Sequence, residues 1–221
     1  MGSAIGMCGS LVSRNADSLV TSIAVRALRL SDGTEYLMEG LFSRSRILSS
    51  KGGDTVEMQP RQLIELPVDK PRPYDIIFCN DGDRIFFKEL AEELQAAWGL
   101  RMTAQIDPPH DLSIPDNAKR IATKNQVIFR DQQNAPFISG MVARMLSRFF
   151  WVAGSYEISL EVGVDNSAIF RKPWRITVSA DMEQKLRLNA LRLVAAGCSQ
   201  PPAVVGQVYS AWPAYEPVPL G

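Results

Sequence analysis

Three aspartates are the residues best placed to form a small acidic site. Asp81 and Asp83 follow an apolar run that ends at Cys79, and Asp107 follows the next predicted strand. Ligands of open α/β sheets bind beyond the carboxyl ends of the strands. Three carboxylates at that edge could hold a divalent cation or act as general acid and base. The structural alternative, which the residue types favour, is that Asp81 or Asp83 caps a helix and Asp107 begins a turn.

Other chemistries have little support in the sequence. His110 is the only histidine, which argues against a metal site built on several histidines. It lies in a proline-rich stretch, where a surface residue is expected rather than a catalytic one. The three cysteines are widely separated and form no C-x-x-C pair. The glycine-rich phosphate loops and the nucleophile motifs of common hydrolases are absent. We therefore predict no cofactor, no metal and a non-enzymatic role.

Charge and hydropathy limit the class of partner. Lysine plus arginine and aspartate plus glutamate both number 24, so the formal net charge is zero. Proteins that bind nucleic acid normally carry a basic excess, and none is expected as a partner. No run approaches the ~20 apolar residues of a membrane span, and no signal peptide is evident. Gly2 could be myristoylated, although Gly6 replaces the preferred Ser or Thr. The predicted location is cytoplasmic or virion-associated.

Two segments have the composition of docking arms. Residues 1–12 consist largely of small residues and methionine, and residues 199–221 combine five prolines with aromatic side chains. The aromatic residues of the second segment are Tyr209, Trp212 and Tyr215. Proline-rich aromatic segments form no regular structure but offer apolar contact area. We expect them to dock on protein subunits, either copies of this chain or heterologous ones.

The hydrophobic pattern predicts mixed α and β structure. Residues 19–70 are β-rich, with a hairpin turn at Ser31–Thr34 and one face of the first strand formed by Ile23, Val25 and Ala27. A central β-α-β unit follows, with a strand at 74–79, a helix at about 84–98 that Gly99 ends, and a parallel strand at 100–106.

The second half contains a strand at about 126–130, a helix over 134–151, a hairpin of 156–164 with 168–179, and a helix that Ser179 caps and Gly197 ends. Pro173, inside the second arm of the hairpin, predicts an edge strand or a bulge.

The central segment resembles the opening strand and helix of a Toll/interleukin-receptor (TIR) domain, in residues 74–78, 87–94 and 99–101. Phe129-Arg130-Asp131, with Pro136 beyond it, is similar to the Arg-Asp loop of that family. The resemblance implies a flavodoxin-like fold with either adaptor assembly or NAD hydrolysis. The catalytic glutamate of the family lies on a helix, whereas Glu157 lies in a predicted strand.

The predicted fold class is α+β or mixed α/β: a β-rich N-terminal portion at 1–70, a mixed α/β domain at 71–198, and a Pro/aromatic arm at 199–221. The predicted function is that of a non-enzymatic structural or assembly subunit of a larger complex, such as a phage virion or tail or a secretion apparatus. The alternative is an α/β nucleotide-binding or TIR-like enzyme that uses Asp81, Asp83 and Asp107.

Overall fold

The chain has an α+β fold built on one antiparallel sheet. The computed structural model describes residues 4–48, 54–60, 63–103, 116–117, 120, 123–124, 127, 135–165, 168–198, 211 and 213–219; residues 41–48, 54–60, 99–103, 168–169 and 196 are described by their backbone alone. The strands are β1 (Ile5–Leu11), β2 (Ser18–Arg29), β3 (Glu35–Leu48), β4 (Asp54–Pro60), β5 (Ile64–Leu66), β6 (Arg72–Cys79), β7 (Gly154–Val164), β8 (Ala168–Val178) and β9 (Tyr215–Pro217). The helices are α1 (Asp81–Thr103), α2 (Pro136–Leu146) and α3 (Ala180–Cys198).

The nine strands form a sheet whose main path runs β1-β6-β3-β2-β7-β8-β9. β4 joins the far half of β3, and β5 joins the first residues of β2. All these ladders are antiparallel, and the one parallel pair in the described residues is an isolated bridge between Ser13 and Val68. The first and last described strands therefore form the two ends of the main path.

The β2–β3 hairpin confirms the turn that the sequence predicts at 31–34. Gly33 has a φ of 70°, a left-handed conformation that glycine adopts without strain. The Asp32 carboxylate accepts a 3.0 Å hydrogen bond from the backbone N–H of Thr34. That bond lowers the pKa of the carboxyl group below its usual value. On β2, Ile23, Val25 and Ala27 are buried on one face, as their alternation predicts.

The predicted second strand of the central β-α-β unit is wrong over residues 100–103, which are helical. α1 continues without interruption to Thr103, and residues 104–106 lie outside the described part of the chain. Glycine inside a helix costs only about 1 kcal/mol relative to alanine. A helix can therefore continue through Gly99, and this one does.

β6 also differs from the parallel strand expected of that unit. It lies between β1 and β3 and is antiparallel to both. Ile76 and Phe78 are buried, while their neighbours Asp75, Ile77 and Cys79 are half-buried, so burial alternates along this part of β6. The parallel, flavodoxin-like sheet that the TIR resemblance implies is therefore not the arrangement around this strand.

The predicted hairpin of 156–164 with 168–179 is present as β7 and β8, paired from Gly154↔Val178 to Val164↔Ala168. Asp165 has a φ of 48° at the turn, where it accepts a 2.9 Å hydrogen bond from the N–H of Leu19. β8 is the penultimate strand of the main path and pairs with β7 without a register shift, so Pro173 lies neither in the outermost strand nor at a bulge of that ladder, contrary to the prediction.

Three helices share an apolar core whose buried members are Leu90, Leu94, Trp98, Ile138, Met141, Val194 and Cys198. The Ser179 hydroxyl accepts a 3.2 Å hydrogen bond from the N–H of Met182, which confirms the predicted cap of α3. That helix ends at Cys198, one residue beyond the predicted Gly197. α2 is shorter than predicted, and Val127 is helical although the sequence predicts a strand there.

The chain divides into two compact units. Unit 1 comprises residues 1–84, 153–178 and 213–221 and holds the sheet; unit 2 comprises 85–152 and 179–212 and holds the helical core. The three sequence-based segments, 1–70, 71–198 and 199–221, stay a prediction. None of the helices in the described residues is long and apolar enough to cross a membrane.

Candidate functional site

The acidic turn beyond β6 is organised by Asn80. Its side-chain oxygen accepts a 3.0 Å hydrogen bond from the N–H of Asp83, which caps the first turn of α1. Its amide nitrogen donates a 2.9 Å hydrogen bond to the carbonyl of Leu37 in β3. Asn80 therefore joins the start of the helix to the sheet, and the capping role that the sequence assigns to an aspartate belongs to this residue.

Asp83 is the one charged side chain among the buried residues described, at 4% exposure. The phenolic hydroxyl of Tyr36, on β3, donates a hydrogen bond to its carboxylate. A buried carboxylate needs such donors, because burial without them costs several kcal/mol. The sequence pattern indicates acidic residues at this turn but gives no sign of Tyr36, which is 47 residues distant along the chain.

Asp81 lies on the exposed side of the same turn. Its carboxylate is 2.8 Å from the Arg84 guanidinium, three residues further along α1, and both side chains are about half exposed. Asp107 is outside the described residues, so the convergence of three carboxylates stays a prediction. Among the residues that the structure describes, no group of three or more His, Cys, Asp or Glu side chains is arranged to hold a metal ion.

The β9 end of the sheet contains one of the three aromatic residues assigned to docking. Tyr215 pairs with Ile176 of β8 and is 69% exposed, and all three residues of β9 are exposed. The tail thus forms a short strand where no regular structure is expected, because the open edge of β8 supplies hydrogen-bond partners. Tyr209 and Trp212 lie outside the described residues.

β9 covers only part of β8. It pairs with Trp174–Ile176, and the N–H of Val218 approaches the carbonyl of Pro173 at 3.4 Å. Over residues 168–172 of β8, the described chain supplies a partner on the β7 side only. This stretch includes the exposed Arg171 and Lys172, and charged residues of this kind discourage pairing with another chain.

β1 forms the opposite end of the sheet. All seven of its residues pair with β6, from Ile5↔Phe78 to Leu11↔Arg72, and the described residues place no strand on its other side. Gly9 allows the ring of Tyr74 to lie across the strand, because a Cβ at position 9 would stand 3.0 Å from that ring. Burial raises the pKa of the Tyr74 hydroxyl above its usual value.

Arginine outnumbers lysine in the sequence, and several arginines are used within the chain. Glu161 on β7 is bonded by Arg26 of β2 at 3.1 Å and by Arg171 of β8 at 3.2 Å. Arg26 also reaches Glu35 at 2.9 Å. The hydrogen bond to Glu161 raises the pKa of the Arg26 guanidinium. These pairs bridge four neighbouring strands, β3, β2, β7 and β8, so they help to hold the sheet together.

The three cysteines differ in exposure. Cys8 on β1 is exposed, Cys79 at the end of β6 is half-buried, and Cys198 on α3 is fully buried. Burial raises the pKa of the Cys79 thiol, which makes the reactive thiolate form scarcer at neutral pH. Cys79 thus behaves as the small apolar residue that its sequence context predicts.

Comparisons with known proteins do not assign the chain to a family. The chain has no significant match among models of protein families, among characterised proteins or among solved structures.

Proposed function

We propose that this chain is a non-enzymatic structural or assembly subunit of a larger protein complex, and that the segments containing β1 and β9 dock it on neighbouring subunits. The supporting observation is that these two strands form opposite ends of the main path of the sheet. A sheet edge presents a row of unpaired N–H and C=O groups, which another chain can complete as an added strand.

The β9 segment has the character of an exchangeable arm. Three residues of β9 pair with β8, and none of them is buried. A pairing this short contributes little apolar burial and is marginal in water. We infer that β9 docks on the β8 edge of a neighbouring subunit in the assembly, where the exposed ring of Tyr215 adds apolar contact area.

The acidic turn supports a non-enzymatic role. Asp83 is buried against the Tyr36 hydroxyl, and Asp81 is paired with Arg84. Structural roles account for both residues, although Asn80 and neither aspartate caps the helix. The alternative function, an enzyme or nucleotide-binding module, depends on these aspartates together with Asp107.

Deletion of residues 199–221 tests the proposal. We expect the truncated chain to keep its sheet, measured by circular dichroism and urea unfolding, and to form a smaller particle than the full chain in light scattering. Tyr215→Ala is expected to weaken the assembly without lowering stability, because the side chain is 69% exposed. The matched control is Leu188→Ala, which removes a 45% exposed apolar side chain of α3, outside β1 and β9. An assembly of unchanged mass after the deletion contradicts the proposal.

A further inference from the structure

The two ends of the sheet are protected differently. The part of β8 that β9 leaves uncovered includes Arg171 and Lys172, and Pro173 follows them. β1 is seven residues long and contains no charged residue and no proline. Natural proteins commonly protect exposed edge strands with charges, prolines or bulges, and β1 pairs with β6 in an unbroken register. An edge that lacks all of these features is suited to pairing with another strand.

We propose that β1 of one chain pairs in antiparallel orientation with β1 of a second copy, with Cys8 on the two-fold axis. The inference deepens the proposed function and rests on it, since it names a second copy of this chain as the neighbour at the β1 edge. The result is a continuous sheet that passes from one subunit to the other. A two-fold contact of this kind uses the same surface on both partners.

The length and residue pattern of β1 select this register. Only an axis at Cys8, the central residue, lets all seven residues of one strand face all seven of the other. Ile5 then lies opposite Leu11, Met7 opposite Gly9, and Gly6 opposite Ser10. Residues directly opposite each other in an antiparallel pair have side chains on the same face of the sheet. The two half-buried apolar ends thus meet each other, and the long Met7 side chain faces a glycine.

The lack of charge makes self-pairing favourable. An edge strand with a net charge would place like charges near each other across the two-fold axis, which destabilises a sheet. β1 contains no charged residue, so this repulsion does not arise. Its exposed residues are small enough for a second backbone to approach: Gly6, Cys8, Gly9 and Ser10. Tyr74 already lies over Gly9, so the partner's methionine at position 7 would be placed near an aromatic ring.

Cys8 provides a direct test, because the proposed axis places the two copies of its exposed thiol opposite each other. Opposite residues of an antiparallel pair have Cα atoms about 4.5–5.5 Å apart. A disulfide spans about 4.4–6.8 Å between Cα atoms. Mild oxidation of the full-length chain with diamide is expected to produce a covalent dimer through Cys8, identified by mass spectrometry of the linked peptide. Absence of a Cys8–Cys8 link at concentrations where the protein associates overturns the proposal.

A displaced cysteine is the matched control for register. In Cys8→Ser/Ser10→Cys, each introduced thiol lies opposite Gly6 of the other strand. The two thiols are then four residues apart along the pair, or about 13 Å, beyond the reach of a disulfide. Adding Gly6→Cys to this variant restores a facing pair and is expected to restore the cross-link. Cross-linking of the Ser10→Cys variant as efficient as that at Cys8 overturns the register.

A charge at the axis separates this inference from the proposed function. Under reducing conditions, Cys8→Lys places two lysines face to face across the two copies, while within one chain position 8 lies opposite Asp75. We expect the β1 contact to weaken about fivefold, the factor given by ~1 kcal/mol, and the neutral control Cys8→Ser to leave it unchanged.

The mass measured by light scattering distinguishes the two failures. If Cys8→Lys keeps the full assembly and deletion of 199–221 disrupts it, the β1 contact is refuted and the proposed function stands. If the deletion leaves the mass unchanged and Cys8 still cross-links, arm docking is refuted while the β1 contact is supported.

Discussion

Replacement of Tyr36 by phenylalanine is expected to destabilise the protein by about 1.5–3 kcal/mol, the usual worth of a hydrogen bond to a charged group. The substitution removes only the hydroxyl that donates to the Asp83 carboxylate. Since Asp83 is 4% exposed, water can replace little of the lost interaction. The loss should appear in urea unfolding as a lower midpoint with an unchanged slope, because the folded state keeps its compactness.

A double-mutant cycle isolates the contribution of this pair. Tyr36→Phe and Asp83→Asn are each expected to be destabilising, and the double variant should lose at least 0.5–1 kcal/mol less than the sum of the two, on the order found for groups in contact. Asp81→Asn is the control, because its exposed pair with Arg84 is worth about 0–1 kcal/mol at most. Equal losses for Asp81→Asn and Asp83→Asn, or a coupling energy near zero, would refute the structural role of Asp83.

Three further outcomes are expected. Gly140→Ala should raise the free energy of unfolding by about 0.5–1 kcal/mol, because the added Cβ meets no atom within 4 Å. In the same urea-unfolding measurement, Gly40→Ala should lower it by about 1–3 kcal/mol, because the added Cβ would stand 2.8 Å from a buried isoleucine methyl. A thiol reagent should modify the exposed Cys8 quickly and Cys79 and Cys198 slowly. Equal reaction rates at all three cysteines would contradict this order of burial. The free energy of unfolding should decrease as pH rises through the ordinary pKa of Cys79, since burial raises the pKa in the folded state and the unfolded thiol loses its proton first. Cys79→Ala should flatten that decrease, and an identical pH profile would contradict the assignment.

Local patterns predicted those parts of the fold that neighbouring residues determine. The β2–β3 and β7–β8 hairpins follow from alternating apolar residues with a turn signal between them, and the cap of α3 follows from Ser179. The same patterns failed where long-range pairing decides the outcome. An apolar strand such as β6 has no local feature that distinguishes a parallel from an antiparallel neighbour, and β1, its partner, lies more than sixty residues earlier in the chain.

The candidate site shows the same division. The run Asn80–Asp83 contains the residue types of a helix start, and the structure places the cap there. The assignment of the cap to Asn80, and the burial of Asp83 against Tyr36, depend on where β3 passes the turn. The sequence does not predict β9 for a similar reason. Residues 215–217 have no strand pattern of their own, and they form a strand because they pair with the edge of β8.

Whether residues 199–221 hold subunits together is decided by the mass in solution of the full-length chain and of the chain without these residues, measured by light scattering on a sizing column over a range of concentrations. The expected result is a full-length particle of several times the 24.5 kDa chain mass and a smaller particle after the deletion, with urea unfolding of the sheet unchanged. Full-length protein that stays at 24.5 kDa at every concentration and in the presence of its native extract, or an assembly that the deletion leaves intact, would contradict it.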